Sequence, residues 1–289
     1  MTVYKSYDQP GLDAEYNNQA KVHNFKNFVT EWNALSQTAR DEFPNHVSVV
    51  YDPSSNQSLD LFYPVNEGTS PAPVQVFFHG GYWKAFTKES FHFVARAFAH
   101  HGIATAIVDY QLIPNIDMAE LIRQCRQSLA YLYEQAEQLK INGNEINISG
   151  HSAGGHIVAM CLASDWAKFG SNLPKDLVKS AVGLSGLYDL EPISKCFLQQ
   201  DLNLTISDVE TLSPIHLDTP KNGVFLPLVG AEEGPEYIDQ SERLASKWQN
   251  CSKSAGILAP YNHFTIMSAF AEPSSGPAQQ VRNLMKTSS

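Results

Sequence analysis

Glu145-Ile-Asn-Ile-Ser-Gly150-His-Ser-Ala-Gly154-Gly-His156 decides the fold of this chain. Residues Glu145 to Ser149 read as a short strand, and those after Ser152 as a helix running to Trp166. Between the two lies Gly150-His-Ser152-Ala-Gly154, a G-x-S-x-G pattern in the strand–turn–helix context that gives it meaning. The chain has to turn tightly there, and a side chain at Gly150 or Gly154 would strike neighbouring backbone. Ser152 is thereby offered at the tip of the turn, with a helix N-terminus and its free N–H groups aimed at the reacting centre. A serine so placed is a candidate nucleophile for acyl transfer.

Upstream, the strand Val74 to Phe78 runs into His79-Gly80-Gly81-Tyr82-Trp83. A glycine pair after such a strand supplies the second half of an oxyanion hole, because backbone without Cβ can approach the substrate closely. The N–H groups of Gly80 or Gly81, with that of Ala153, are expected to hold the negative oxygen. His79 reads as the residue that fixes this turn, and Tyr82 and Trp83 as walls of the substrate pocket.

Short apolar runs alternate with helical patterns over the rest of the chain. The strands drawn from them are His46 to Tyr51, Ser58 to Tyr63, Val74 to Phe78, Ile103 to Val108, Glu145 to Ser149, Ala181 to Ser185, Val224 to Val229 and Ala255 to Ala259. Helices are expected over Asn24 to Ala39 and Phe91 to His100, and where Met118, Leu121, Ile122, Cys125, Leu129 and Leu132 recur at helical spacing. Together with the elbow at Ser152 this predicts an α/β-hydrolase fold: one mostly parallel eight-stranded sheet flanked by helices. A single domain over residues 1–289 is expected, with a helical extension at 1–44 and a small cap-like insertion at 190–219. Both segments are candidates to cover the carboxyl ends of the strands, where ligands bind in such sheets. The N-terminal helix is also a candidate contact in a homodimer.

In this fold the triad follows the order Ser, acid, His. His263 is the histidine beyond the last strand, placed by the turn-forming Pro260-Tyr261-Asn262, and is the expected general base. His23, His46, His92, His100, His101, His151, His156 and His216 read as surface, packing or loop residues. Two carboxylates compete for the acid: Glu233 after the strand ending at Val229, and Asp189 after the strand ending at Ser185. Glu233 is preferred because the acid loop usually follows the penultimate strand, and Glu232 replaces it if the register slips by one. Asp189 otherwise reads as a turn or helix cap.

Composition narrows the partners. With 43% hydrophobic and 17% charged residues the chain is globular, and its net charge of −10, with only 20 Lys and Arg, argues against nucleic acid. No stretch approaches the roughly 18 apolar residues of a membrane helix, and no signal-peptide pattern opens the chain, so a cytoplasmic protein is expected. Cys125, Cys161, Cys196 and Cys251 are scattered without metal-ligand spacing and read as free thiols. The chemistry inferred requires a small-molecule acyl substrate and no metal or organic cofactor.

These residues also resemble a known family. His79-Gly-Gly-Tyr-Trp83, Gly150-His-Ser-Ala-Gly-Gly-His156, Glu233-Gly-Pro-Glu-Tyr237 and His263-Phe264 look like the kynurenine formamidases, or arylformamidases, of the hormone-sensitive-lipase-like branch of α/β hydrolases. The resemblance runs from Ser58-Leu-Asp-Leu-Phe62 to His263, and Leu12-Asp-Ala-Glu-Tyr-Asn17 is similar to the start of bacterial esterases in that group. It implies Ser152 as nucleophile, His263 as base and Glu233 as acid, where animal members carry aspartate. It also implies hydrolysis of N-formylkynurenine to kynurenine and formate, a step of tryptophan catabolism, with Tyr82, Trp83 and Phe264 stacking on the aromatic amine. The same residues would serve a general carboxylesterase for short-chain esters. A catalytically inactive hydrolase fold acting as a binding module is the reading from another class, and the retention of every triad residue type speaks against it.

Overall fold

Alternation along the strands builds two cores, one on each face of a single sheet. The computed structural model describes residues 1–65 and 71–288. Its strands are β1 (Val47–Asp52), β2 (Gln57–Phe62), β3 (Ala72–Phe78), β4 (Ala104–Val108), β5 (Ile141–His151), β6 (Val178–Leu184), β7 (Val224–Gly230) and β8 (Gly256–Leu258). From β3, Val74, Val76 and Phe78 enter one core and Phe77 the other. Strand β7 repeats the pattern, sending Phe225 and Val229 to the first core and Leu226 and Leu228 to the second. Each such side chain, taken fully out of water, contributes about 1.5–3 kcal/mol.

The first core is closed by α1 (Gln9–Tyr16), α3 (Met118–Glu134), α4 (Ala153–Leu162) and α5 (Pro235–Lys247). The second is closed by α2 (Phe25–Glu42) and α6 (Gly276–Ser288). Helix α3 starts where Asp117 accepts a hydrogen bond from the Glu120 N–H at 2.8 Å, and it buries Met118, Leu121, Ile122, Cys125, Leu129 and Leu132 on one stripe. All ten residues of α4 are buried, so this helix has no solvent face.

The strand order is β1-β2-β4-β3-β5-β6-β7-β8, antiparallel for β1/β2 and β2/β4 and parallel elsewhere. This is the α/β-hydrolase arrangement. Register then aligns the carboxyl ends: Phe78 pairs with Gly150, His151 with Leu184, Leu184 with Leu228, and Gly230 with Leu258. Loops beginning at His79, Ser152, Ser185 and Ala231 therefore leave the sheet side by side, which is where such sheets bind ligands.

All eight expected strands are present with small shifts at their ends. Strand β5 begins at Ile141 rather than Glu145 because Ile141 pairs with Ala72 across an irregularity in the ladder. Two helices differ more. Residues Lys88–Ala95 form 3₁₀ turns and only Arg96–Ala99 is α-helical, since Phe91, His92, Phe93 and Val94 are weak helix formers buried on every side. The helix after Ser152 stops at Leu162, where Ser164 turns its hydroxyl back onto the Met160 carbonyl at 2.8 Å, and a separate turn covers Trp166–Phe169.

Residues 190–219 form short helical turns over Ile193–Lys195, Gln199–Leu202, Ile206–Leu212 and Pro214–His216. They meet the N-terminal segment: Gln9 donates to the Lys195 carbonyl at 2.9 Å, and the Phe197 N–H donates to Asp13 at 2.7 Å. Cys125, Cys161 and Cys196 are buried free thiols and Cys251 is half-buried. Among the described residues no helix is long and apolar enough to cross a membrane.

Candidate active site

Ser152 has φ 57° and ψ −117°, backbone that a residue with a side chain adopts only under constraint. Such a conformation costs on the order of 1–3 kcal/mol, and the neighbouring bonds hold it. The Ser152 N–H donates to the Leu184 carbonyl at 2.8 Å, and its own carbonyl accepts from Gly155 and His156 at 2.9 and 3.3 Å. Gly154 is required by contact: a Cβ there would lie 2.0 Å from the Phe78 carbonyl oxygen. Helix α4 can therefore start hard against the end of β3, beneath the Gly80-Gly81 loop.

That loop rests on the elbow. A Cβ on Gly80 would fall 2.9 Å from the His151 carbonyl oxygen and 3.2 Å from the Ser152 Cβ. Ala153 heads α4, so its N–H is among the four that a helix leaves without an internal acceptor. His79 is fully buried between Phe91 and Tyr110, stacked at 5.6 and 4.4 Å, with Nδ1 2.8 Å from the Gly80 carbonyl oxygen. Its place matches a residue that fixes the turn. Downstream in the loop, Tyr82, Trp83 and Phe86 all have left-handed backbone, with φ of 50°, 59° and 73°. Three aromatic residues in that region need outside support.

His263 is set by its flanks. Asn262 Oδ1 accepts from the N–H groups of Phe264 and Thr265 at 2.9 and 3.0 Å, while the Asn262 N–H donates to Thr265 Oγ1 at 2.8 Å. This reciprocal cap orders the turn that carries the imidazole. The His263 carbonyl accepts a hydrogen bond from His151 Nε2 at 2.8 Å, so the residue preceding Ser152 is tied to the turn that carries His263. Burial, then the neighbouring His263, push the His151 pKa well below its usual value. His151 stays neutral and acts as a strut.

Glu233 brings its carboxylate to this imidazole. Oε2 lies 2.7 Å from His263 Nδ1, and Oε1 accepts from Ser185 Oγ at 2.5 Å and from the Gly230 N–H at 2.8 Å. The Glu233 side chain is only 1% exposed, so these bonds are made out of water. Glu232 is exposed instead. Asp189, the other carboxylate considered, does not reach His263. It pairs with Arg243 at 3.0 Å, lies 3.5 Å from the Tyr4 hydroxyl, and accepts from the Glu191 N–H at 3.0 Å, which is the turn role. A cavity of about 440 Å³ borders it, lined also by Tyr4, Lys5, Lys195 and Arg243.

The pocket walls need correction. Trp83 is fully buried and offers no surface to a substrate; its Nε1–H donates to His156 Nδ1 at 3.2 Å, and His156 Nε2 in turn donates to the Leu212 carbonyl at 2.7 Å. The left-handed backbone at Trp83 points its indole into the core. Burial lowers the His156 pKa to about 4, consistent with a neutral ring. Phe264 is 5% exposed and packs against Phe25, Phe28 and Trp32, so α2 occupies most of the face expected for stacking. Tyr82 is half-buried, with its hydroxyl held by Tyr16, Asn18 and Tyr237.

Sequence reading missed Ser185 and the strut at His151. Ser185 directly follows the end of β6, the strand paired with β7, and has φ 53°, so the strand order would have flagged it. His151 fills the variable place beside the serine, where the pattern says nothing of direction.

Comparison with known proteins adds four findings. The BD-FAE family model matches residues 59–212, just over half of the chain. A kynurenine formamidase from Danio rerio is 27% identical over 270 residues, spanning 89% of this chain and 85% of its own. A solved structure from Silicibacter sp. tm1040, described as a candidate thioesterase, is 27% identical with a TM-score of 0.81 over 94% of this chain and 98% of that one. An esterase from Pyrobaculum calidifontis aligns with a TM-score of 0.75 at 15% identity over 91% of each chain, a likeness of fold alone.

Proposed function

This chain belongs to the BD-FAE family and is a hydrolase of the formamidase or esterase kind, and from that premise we propose that it is a serine hydrolase whose triad is Ser152, Glu233 and His263. The observation that carries this reading is the 2.7 Å contact between Glu233 and His263 Nδ1, with the base loop bonded through His151 to the turn that bears Ser152. With Nδ1 committed to the carboxylate, Nε2 is left to accept a proton.

Ser152 Oγ attacks the acyl carbon as His263 Nε2 takes its proton. The oxyanion so formed is held by the N–H groups of Gly80 or Gly81 and of Ala153. Collapse breaks the bond to the leaving group, which receives the proton from His263, and leaves an acyl-serine. Water then attacks that ester with His263 as base, and the acid departs as Ser152 regains its proton. For N-formylkynurenine the acyl group is formyl, the leaving group an aromatic amine and the released acid formate. The relatedness to a kynurenine formamidase over most of both chains supports this substrate. Residues 1–44 and 190–219 would cover the carboxyl edge.

A fluorophosphonate probe tests the nucleophile: the intact protein is expected to label, and Ser152→Ala is not. Labelling that survives the substitution sinks the assignment. For the substrate, kcat/KM is compared for N-formylkynurenine and p-nitrophenyl acetate. A wide preference for the ester replaces the formamidase reading with that of a carboxylesterase.

A further inference from the structure

The segment Glu15-Tyr16-Asn17-Asn18 lies far from the triad in sequence and converges on three of its loops. Asn18 is 5% exposed and uses both hydrogens of its side-chain amide. One reaches the Tyr82 hydroxyl at 3.1 Å and the other the Tyr237 hydroxyl at 2.6 Å. The two hydroxyls are 2.8 Å apart, and Tyr82 also donates to the Tyr16 carbonyl at 2.6 Å. The protons account for every bond. Tyr82 gives its own to Tyr16, Tyr237 gives its own to Tyr82, and Asn18 gives one to each.

Each end of this closed network sits against the reaction centre. Tyr82 directly follows Gly80-Gly81 and has left-handed backbone, φ 50°. The Tyr237 ring lies 4.8 Å from the His263 ring. Next door, Glu15 accepts the Glu236 N–H at 3.1 Å, and Gly234 packs so closely on Glu15 that a Cβ there would fall 2.1 Å from its carboxylate. The backbone just past Glu233 is thus held by the same segment.

We propose that Asn18 is a positioning residue of the hydrolytic site: by donating to Tyr82 and Tyr237 at once, it fixes the oxyanion loop relative to the base. The proposal rests on the serine-hydrolase reading above. It assigns residues 15–18 to the working site rather than to a peripheral extension. Asn18 touches no reacting atom and acts through the loops it ties together.

The test is kinetic, with p-nitrophenyl acetate as substrate. Asn18→Ala is expected to lower kcat about tenfold with KM changed by less than about twofold, the pattern of an interaction felt in the transition state. Tyr82→Phe is expected to do the same. The double variant Asn18→Ala/Tyr82→Phe should fall no more than about twofold below the worse single variant, because both cut one network. A lowered melting midpoint with kcat within twofold of the parent, or losses that multiply in the double variant, overturns the proposal. Should Asn18→Ala fail to fold, Tyr82→Phe and Tyr237→Phe decide by the same kcat criterion. Ser152→Ala is measured alongside. Activity lost there but unaltered in Asn18→Ala removes the Asn18 assignment alone, whereas activity surviving in Ser152→Ala removes the serine-hydrolase reading and this proposal with it.

Discussion

Two loops leave the carboxyl edge of the sheet as neighbours, residues 185–191 after β6 and residues 231–234 after β7, and each presents a carboxylate. The carboxylates have different fates. Glu233 spends one oxygen on Ser185 and the Gly230 N–H and turns the other to His263. Asp189 spends one oxygen on the Glu191 N–H and the other on Arg243 and Tyr4, facing a separate cavity. Both sit at the edge where chemistry occurs, so position on the sheet does not distinguish them. What does is the partner that occupies the last free oxygen: a guanidinium neutralises Asp189, while an imidazole shares Glu233. The loops are also coupled, because Ser185 opens the first and steadies the carboxylate of the second.

The largest expected effect tests that contrast directly. Glu233→Ala should lower kcat about 10⁴-fold, as loss of the acid does in other triads, while Asp189→Ala should stay within about threefold. Steady-state kinetics on both variants checks this, and equal losses would erase the distinction. Asp189→Ala should instead cost about 1–2 kcal/mol in urea unfolding, since Arg243 loses one of its two carboxylate partners but keeps Asp239 at 3.4 Å, is 37% exposed and can turn to water.

A smaller effect probes the coupling between the loops. Ser185→Ala removes a hydrogen bond to a buried carboxylate and should lower kcat about tenfold. Ser185→Gly should lower kcat equally, yet melt no lower than the alanine variant, because φ 53° suits glycine. A glycine variant with parental kcat would make Ser185 a packing residue.

The smallest effect separates the loops by pH. The first loop runs into residues 190–219, which His156 holds through the Leu212 carbonyl. With its folded pKa lowered to about 4, His156 takes up a proton more readily in the unfolded chain. Its contribution is therefore neutral above about pH 6.5 and destabilising as pH falls from there toward 4. Melting midpoints across that window should decline less steeply in His156→Gln than in the parent. An unchanged slope would remove His156 from the acid response.

Sequence made the local features legible. Eight strands, the elbow at Ser152, the glycine loop and the preference for Glu233 beside His263 each rest on a short pattern or on chain order; Glu233 Oε2 lies 2.7 Å from His263 Nδ1, and Gly80 packs on the turn that bears Ser152. The directions of side chains were not legible. Trp83 turns inward because of a left-handed backbone that composition does not announce, and α2 reaches Phe264 from the far end of the chain. Ser185 and Glu233 are 48 residues apart, and Asn18 and Tyr237 are 219 apart. Such pairs follow from the order of strands in space, which no periodicity along the chain encodes.

The tie between Asn18 and Tyr237 also has a consequence for biosynthesis. Asn18 leaves the ribosome 219 residues before its partner, and His263 follows later still. Through most of translation the Asn18 amide, already able to meet Tyr82, therefore lacks its second acceptor. Contacts this distant are among the last a chain can close. A growing chain thus carries Ser152 long before the Glu233–His263 pair exists, and the tie through Asn18 closes only once Tyr237 has been made.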